Sequence, residues 1–338
     1  MSTPQSATHD RATYANVPAD LDAALANLQV QNVIARIWQK DHTVWRPDPT
    51  EISNRLGWLT EADQLLEKIE DLVAFANQVR GAGFTDVVLL GMGGSSLAPE
   101  LLRNTFRKKK GYLRLHVLDS TVPAWVRRVA RSIKPERTLF IVSSKSGTTL
   151  EPKVFFEYFY VLVKEAKGAQ AGENFIAITD PGTPLQALGE EHHFRRVFLN
   201  NPDIGGRYSA QSYFGMVPAA LAGVDVRELL MRTAAMAAAC DGAVPVHENP
   251  GARLGVALGT LAQQGRDKVT FISSPDIASF GLWVEQLLAE STGKEGMGIL
   301  RIALEPFASP DVYGPDRVFA YLRLDNDHNG ELPAARPV

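Results

Sequence analysis

The chain has 338 residues, 45% hydrophobic and 22% charged, with a formal net charge of −3. That composition is ordinary for a globular protein, and the slight negative charge gives no electrostatic basis for binding nucleic acid or an anionic membrane. A single cysteine, Cys240, excludes an internal disulfide and a cysteine metal cluster and suits a reducing compartment. The first ten residues are polar and lack the basic-then-apolar layout of a secretory signal. No stretch approaches the roughly 18–20 apolar residues that span a bilayer, so the chain reads as soluble and cytoplasmic.

In chain order, residues 1–30 read as a polar, Ala-rich tail entering a helix over 21–40. Two prolines in Trp45-Arg46-Pro47-Asp48-Pro49-Thr50 break regular structure and predict a connector. Over 61–80, apolar residues at Leu65, Leu66, Ile69, Leu72, Val73, Phe75, Ala76 and Val79 have the helical period. Strands and helices then alternate: strand 86–90, helix 96–106, strand 114–118, helix 123–132, strand 138–142, helix 150–164, then strands 174–179 and 197–199. The runs at 87–90 and 139–142 are apolar without alternation, as in strands buried on both faces of a parallel sheet. The fold class is therefore α/β, with a doubly wound parallel sheet. A helical stretch over 209–240, a break over 241–250, a helix over 252–264, a strand over 269–273, a helix over 277–291 and a strand over 318–324 follow. This suggests a lead-in over 1–70, a first α/β domain over 71–240 and an incomplete second one over 241–338.

Three polar loops stand where a doubly wound sheet binds ligands, at the carboxyl ends of strands. Gly91-Met92-Gly93-Gly94-Ser95-Ser96 follows the first strand and opens a helix. It departs from the dinucleotide fingerprint at the third glycine, and no Lys-Ser or Lys-Thr follows Gly94 to make a Walker loop. Alone it is also compatible with a plain βα turn. Ser144-Lys145-Ser146-Gly147-Thr148-Thr149 follows the third strand, and with Ser143 offers five hydroxyls around one lysine. Hydroxyls and helix N-terminal amides supply directional donors and Lys145 a point charge, a pattern suited to a phosphate group. Thr148 or Thr149 also suits the N-cap of the next helix. Gly205-Gly206-Arg207-Tyr208-Ser209 permits close backbone approach and adds a permanent cation, although Arg207 could equally serve a surface ion pair, and Tyr208 reads as core.

Glu290 stands at the C-terminal end of a predicted amphipathic helix, in Glu290-Ser291-Thr292-Gly293-Lys294. The helix dipole disfavours a carboxylate there, which suits a proton-accepting base, though a solvated Glu–Lys cap explains the local sequence as well. His192-His193 lacks the spacing of metal ligands and reads as a solvated loop, and no aspartate cluster or G-x-S-x-G elbow is present. The ligand implied is a small phosphorylated metabolite.

These four elements, in this order, resemble the phosphoglucose isomerases, which are built from two sugar-isomerase (SIS) domains. Ile52-Ser53-Asn54-Arg55-Leu56-Gly57-Trp58 resembles the isomerase portion of bifunctional transaldolase/phosphoglucose isomerase proteins, and no transaldolase domain accompanies it. The resemblance implies that Ser95, Ser144, Lys145, Ser146 and Thr149 hold a sugar phosphate beside Gly93, Gly94 and Gly206. It further implies that Arg207 stabilises an enediolate and that Glu290 moves a proton between C2 and C1. Interconversion of glucose 6-phosphate and fructose 6-phosphate would then need no metal and no organic cofactor, and a homodimer would be in keeping with the family. Two features depart. The family's ring-opening histidine has no match, because His328, the only histidine after Glu290, stands in an unrelated Asp327-His328-Asn329-Gly330. The family's C-terminal helix, which contributes a lysine, has no counterpart either, so truncation would impair the isomerase. A noncatalytic SIS-type sugar-phosphate-binding module would keep the phosphate loops and need neither Arg207 nor Glu290, whereas a nucleotide-dependent dehydrogenase would respond to NAD.

Overall fold

A computed structural model describes residues 20–106, 109–306 and 308–325. In chain order the elements are α1 (Asp20–Val30), α2 (Val33–Trp38), α3 (Glu61–Leu66), α4 (Ile69–Gly81), β1 (Asp86–Gly91), α5 (Leu97–Thr105), β2 (Arg114–Leu118), α6 (Pro123–Ser132), β3 (Thr138–Ser143), α7 (Leu150–Lys167), β4 (Phe175–Thr179), α8 (Pro184–Glu191), β5 (Arg196–Leu199), α9 (Tyr213–Ala222), α10 (Val226–Ala239), α11 (Pro250–Gln263), β6 (Lys268–Ser273), α12 (Phe280–Thr292), β7 (Leu300–Ala303) and β8 (Arg317–Leu322).

The two uniformly apolar runs become neighbouring central strands. Sheet one is wholly parallel in the order β2-β1-β3-β4-β5, with Gly91 in register with Ser143. Its strands bury residues on both faces. Val87 and Leu89 pack with α4, α5, α9 and α10 on one side. Val88 and Leu90 pack with Val129 of α6, Phe155, Phe156 and Phe159 of α7, and Leu185 of α8 on the other. The helix after β1 thus covers one face and the helix after β3 the opposite face. Their N-termini diverge at the β1/β3 boundary, the switch point where an open α/β sheet leaves a crevice.

Three long helical predictions divide in the structure, each for a local reason. The helix expected over 21–40 breaks at Asn32, whose φ of 52° is left-handed. The one over 61–80 breaks after Leu66, where the Lys68 amide bonds Leu65 O at 3.0 Å and starts a new axis. The stretch over 209–240 breaks at Gly223, with φ of 91°. There Val224 N bonds Ala219 O and Gly223 N bonds Ala220 O, a Schellman closure. Asp225 then caps α10 by accepting from Glu228 N at 3.0 Å. Two short elements, α8 and β7, carry no sequence expectation. His192, expected in a solvated loop, packs its ring against Tyr160 at 4.7 Å and Phe156 at 5.3 Å, while His193 is exposed.

The second sheet has three parallel strands in the order β7-β6-β8. Helix α12 lies against β7, close enough that a Cβ on Gly281 would fall 2.3 Å from Ala303 Cβ. The N-terminal helices join this half of the chain: Leu25 of α1 packs with Val246 and Ala252, and Trp38 Nε1 donates to Cys240 O at 2.7 Å. No described helix is long and apolar enough to cross a membrane.

Candidate active site

The register of Gly91 with Ser143 sets the first two loops side by side at the carboxyl ends of β1 and β3. After β1, Gly93–Ser95 forms a single 3-10 turn, and Gly93 adopts a φ of 53°. After β3, Gly147 adopts a φ of 67°, and a Cβ there would meet Leu185 N at 2.8 Å. Both glycines are required by backbone conformation.

In the second loop the hydroxyls bond one another. Ser144 Oγ and Thr149 Oγ1 lie 2.9 Å apart, and Ser146 Oγ and Thr148 Oγ1 lie 2.8 Å apart. Ser144 Oγ also accepts from Gly147 N, and Ser146 Oγ from Thr148 N. Thr149 occupies the N-cap position of α7 as expected, yet its side chain makes no capping bond. Its hydroxyl is turned to Ser144 instead. The first-turn amides of an 18-residue helix are therefore not capped by this residue, and their dipole end favours an anion. Ser144 is buried and Ser146 exposed, so the hydroxyls run from the floor to the rim of the loop. Lys145, expected as the loop's free charge, forms an ion pair with Asp180 and donates to Pro202 O at 2.8 Å.

The arginine loop packs directly onto the first loop. A Cβ on Gly94 would fall 2.2 Å from Gly206 O, so only glycine allows this backbone approach. Ser209 Oγ stitches the contact by donating to Gly94 O at 3.1 Å and Gly206 O at 2.6 Å. Arg207 then reaches α12. Its Nη1 lies 3.2 Å from Glu290 Oε2, and its Nε donates to Ser291 Oγ at 2.9 Å. Tyr208, expected in the core, is half-buried: its hydroxyl lies 2.8 Å from Ser291 Oγ, and its ring stacks on Trp58 at 5.3 Å.

Glu290 sits in the last turn of α12, with its side chain 50% exposed. Its other oxygen accepts from Gln286 Nε2 at 2.9 Å. Gln286 in turn faces the first loop, since a Cβ on Gly93 would lie 3.0 Å from its Nε2. Lys294 Nζ donates to Glu290 O, closing the helix end. The pairing orients the Glu290 carboxylate between a cation and an amide, in the last turn of α12. Gln286, Ser291 and Trp58 carried no expected role at the site, although Ser291 and Trp58 stand within the motifs quoted from the sequence. Gln286 had a usable signal, because a residue four positions before a candidate base shares its helix face.

A cleft of about 610 Å³ runs from Gln286 and Glu290 between α5 and α12 toward Asp119 and Trp125. Burial pushes the Asp119 carboxyl up from its ordinary range, and the nearby Glu100 charge adds to this. Burial also raises Asp180, against the opposing pull of Lys145. Desolvation and pairing act in opposite directions on Asp180, and desolvation wins. Among the described residues no group of three or more His, Cys, Asp or Glu side chains is placed to hold a metal ion.

All ten residues expected at the site fall on these four elements, and contacts link the elements in sequence: second loop to first, first to arginine loop, arginine loop to α12. A family model described as phosphoglucose isomerase matches residues 52–295, a span that contains all four. Among curated proteins, glucose-6-phosphate isomerase of a Cyanothece species is 31% identical over 295 residues, covering 83% of this chain and 53% of the relative. That of a Nostoc species is 30% identical over 293 residues, covering 80% and 51%. The chain spans about half the length of the curated relatives it matches. Among solved structures, a hypothetical protein of Thermus thermophilus superposes with a TM-score of 0.74 at 27% identity, covering 89% of this chain and 72% of that one. A glucose-6-phosphate isomerase of Chlamydia trachomatis has a TM-score of 0.71 at 24% identity, covering 83% and 60%, a likeness of fold.

Proposed function

The chain belongs to the phosphoglucose isomerase family, and from that premise we propose that it is an aldose–ketose isomerase interconverting glucose 6-phosphate and fructose 6-phosphate. The observation that carries this reading is the Arg207–Glu290 contact, built across two distant segments beside the hydroxyl-rich loops. A plain sugar-phosphate-binding module needs the loops and has no use for that pair.

In this reading Ser95, Ser144, Ser146, Thr149 and the amides that open α7 hold the phosphate, beside the close-packed Gly93, Gly94 and Gly206. With the phosphate anchored, the carbonyl end of the open-chain sugar extends toward α12. Glu290 takes the proton from C2 of the aldose, and the electron pair moves through C1=C2 onto the C1 oxygen. Arg207 stabilises that oxygen's charge in the cis-enediolate, an electrostatic contribution typically worth about 3 kcal/mol. Solvent protonates the C1 oxygen to give the enediol, and Glu290 then returns its proton to C1 while the C2 hydroxyl gives its own to solvent, which leaves the C2 ketone. Gln286 holds the Glu290 carboxylate in line between transfers.

No residue is assigned to ring opening. The described residues after Glu290 include no histidine, and His328 lies outside the described residues. The scheme begins from the open-chain sugar. No metal and no organic cofactor enters the scheme. The cytoplasm, where sugar phosphates are held, is the setting proposed, with a homodimer as the assembly.

Glu290→Gln tests the assignment. The variant should bind fructose 6-phosphate with an affinity near that of the wild type and lose solvent-deuterium incorporation into the sugar, followed by proton NMR. Continued incorporation by the variant would exclude Glu290 as the base.

A further inference from the structure

Lys145 stands in the middle of the anion loop, yet its amine is committed elsewhere. Nζ pairs with the Asp180 carboxylate and donates to Pro202 O at 2.8 Å, which uses two of its three hydrogens. The main chain is tied to the same place. Asp180 N donates to Lys145 O at 3.2 Å, and Thr179 Oγ1 donates to that oxygen at 3.3 Å. Both side chains of the pair are mostly covered, at 24% and 14% exposure. The second carboxylate oxygen, Asp180 Oδ1, is buried without a hydrogen-bond partner among the described residues.

Pro202 is where the strut lands, and its position gives the pair its meaning. The segment from Pro202 to Arg207 leaves β5 and delivers the arginine to α12. Asp203 O accepts from Gly57 N at 2.8 Å, and Ile204 bridges Leu56 in antiparallel fashion. Gly205 and Gly206 come next and supply no side chain to fix the backbone. Lys145 is thus a direct side-chain tie from the anion loop to the chain that carries Arg207.

We propose that Lys145 and Asp180 are positioning residues: the pair is a strut that holds the anion loop and the arginine loop at a fixed separation, and Lys145 does not lend its charge to the phosphate. This rests on the reading of those loops as phosphate seat and reaction centre. The electrostatic argument is direct. A lysine paired with a carboxylate presents little net charge to an approaching anion. Drawing the amine over to a phosphate would leave a mostly covered carboxylate without its cation, an unfavourable exchange. The hydroxyls and helix amides already supply the donors a phosphate takes.

The test uses Lys145→Met, Asp180→Asn and the double variant. The double variant removes both charges together and so leaves no covered charge alone should a single variant fail to fold. Inorganic phosphate is titrated by calorimetry, and amide hydrogen exchange is read over 202–209 in the ligand-free protein. All variants should bind phosphate within about threefold of the wild type, since none removes a ligand of the anion. Exchange over 202–209 should quicken by about tenfold or more in Lys145→Met and in the double variant, which lose the bond to Pro202 O, and by less in Asp180→Asn, which keeps the amine. Turnover of fructose 6-phosphate should fall by about 100-fold with KM little changed, the mark of a misplaced reacting group. The inference is overturned if Lys145→Met weakens phosphate binding by about tenfold or more, as loss of a charged ligand would, while exchange over 202–209 stays at the wild-type rate. It is overturned equally if Asp180→Asn tightens phosphate binding. A wild-type protein that binds no phosphate would count against the seat itself, and the exchange experiment would still decide the strut.

Discussion

Glu61 is 6% exposed, and Asn201 Nδ2 donates to its Oε2 at 3.2 Å. Burial raises its pKa, and the hydrogen bond from Asn201 opposes the shift without cancelling it. A raised carboxyl binds more protons in the folded than in the unfolded chain. Its unfavourable contribution therefore grows as the pH rises through the interval above the ordinary glutamate range. Glu61→Gln should stabilise the protein at neutral pH, with the advantage shrinking toward pH 4, as read from urea midpoints at several pH values. An advantage that grew on acidification would refute the assignment. Gly94 makes a second residue-scale case. Gly94→Ala drives a methyl into Gly206 O and should cost about 1–3 kcal/mol, the usual range for overpacking. An unchanged denaturation midpoint would show that the two loops can part freely. Gly206 was visible in the sequence as a close-approach position, but the backbone that it meets, that of Gly94, was not. The Lys145–Asp180 pair was likewise hidden. Its members lie 35 residues apart in the loops that follow β3 and β4, and an ion pair between such loops leaves no local pattern.

At the scale of elements, the sequence read best where burial is strongest. The runs in β1 and β3 are buried along their whole length, so their lack of alternation reported a two-sided core directly. Helix predictions failed at their interiors because apolar periodicity persists through a break in the axis. Asn32 and Gly223 mark two of those breaks by left-handed backbone, and of the two only Gly223 is a residue type that announces it strongly. Strand β7 escaped notice because four residues, one of them Arg301, carry too short a pattern. Phe159 on α7 is fully buried against Phe140, at 4.9 Å between ring centres, whereas Phe319 on β8 is 47% exposed. Phe159→Ala should cost about 3–5 kcal/mol. Phe319→Ala should stay near the roughly 0.5 kcal/mol scale of surface changes. Comparable losses from both would mean that Phe319 is covered in solution.

Across the whole molecule, the two sheets differ in how well they are enclosed. Sheet one has apolar clusters on both faces, while strands β7 and β8 expose Leu300, Phe319 and Tyr321. Parallel sheets depend on cover for both faces, so hydrogen exchange should show the slowest amides in β1, β3 and β4 and much faster exchange in β6, β7 and β8. Equal protection in the two sheets would contradict this. The site bridges the two halves, with its anion loops on sheet one and Glu290 on the helix that packs against β7. In the proposed mechanism function depends on the docking of α12, which no single motif reveals. The placement of the first two loops was legible in the sequence, because they follow β1 and β3, the two strands that the apolar runs identify. The most direct measurement is a calorimetric titration of the wild type and a Ser144→Ala/Thr149→Val variant with fructose 6-phosphate, unphosphorylated fructose and NAD. Fructose 6-phosphate alone should bind, and the double change should weaken it by about tenfold or more, as two lost hydrogen bonds to a charged group require. Binding of NAD, or unaltered affinity for the sugar phosphate in the variant, would contradict the account.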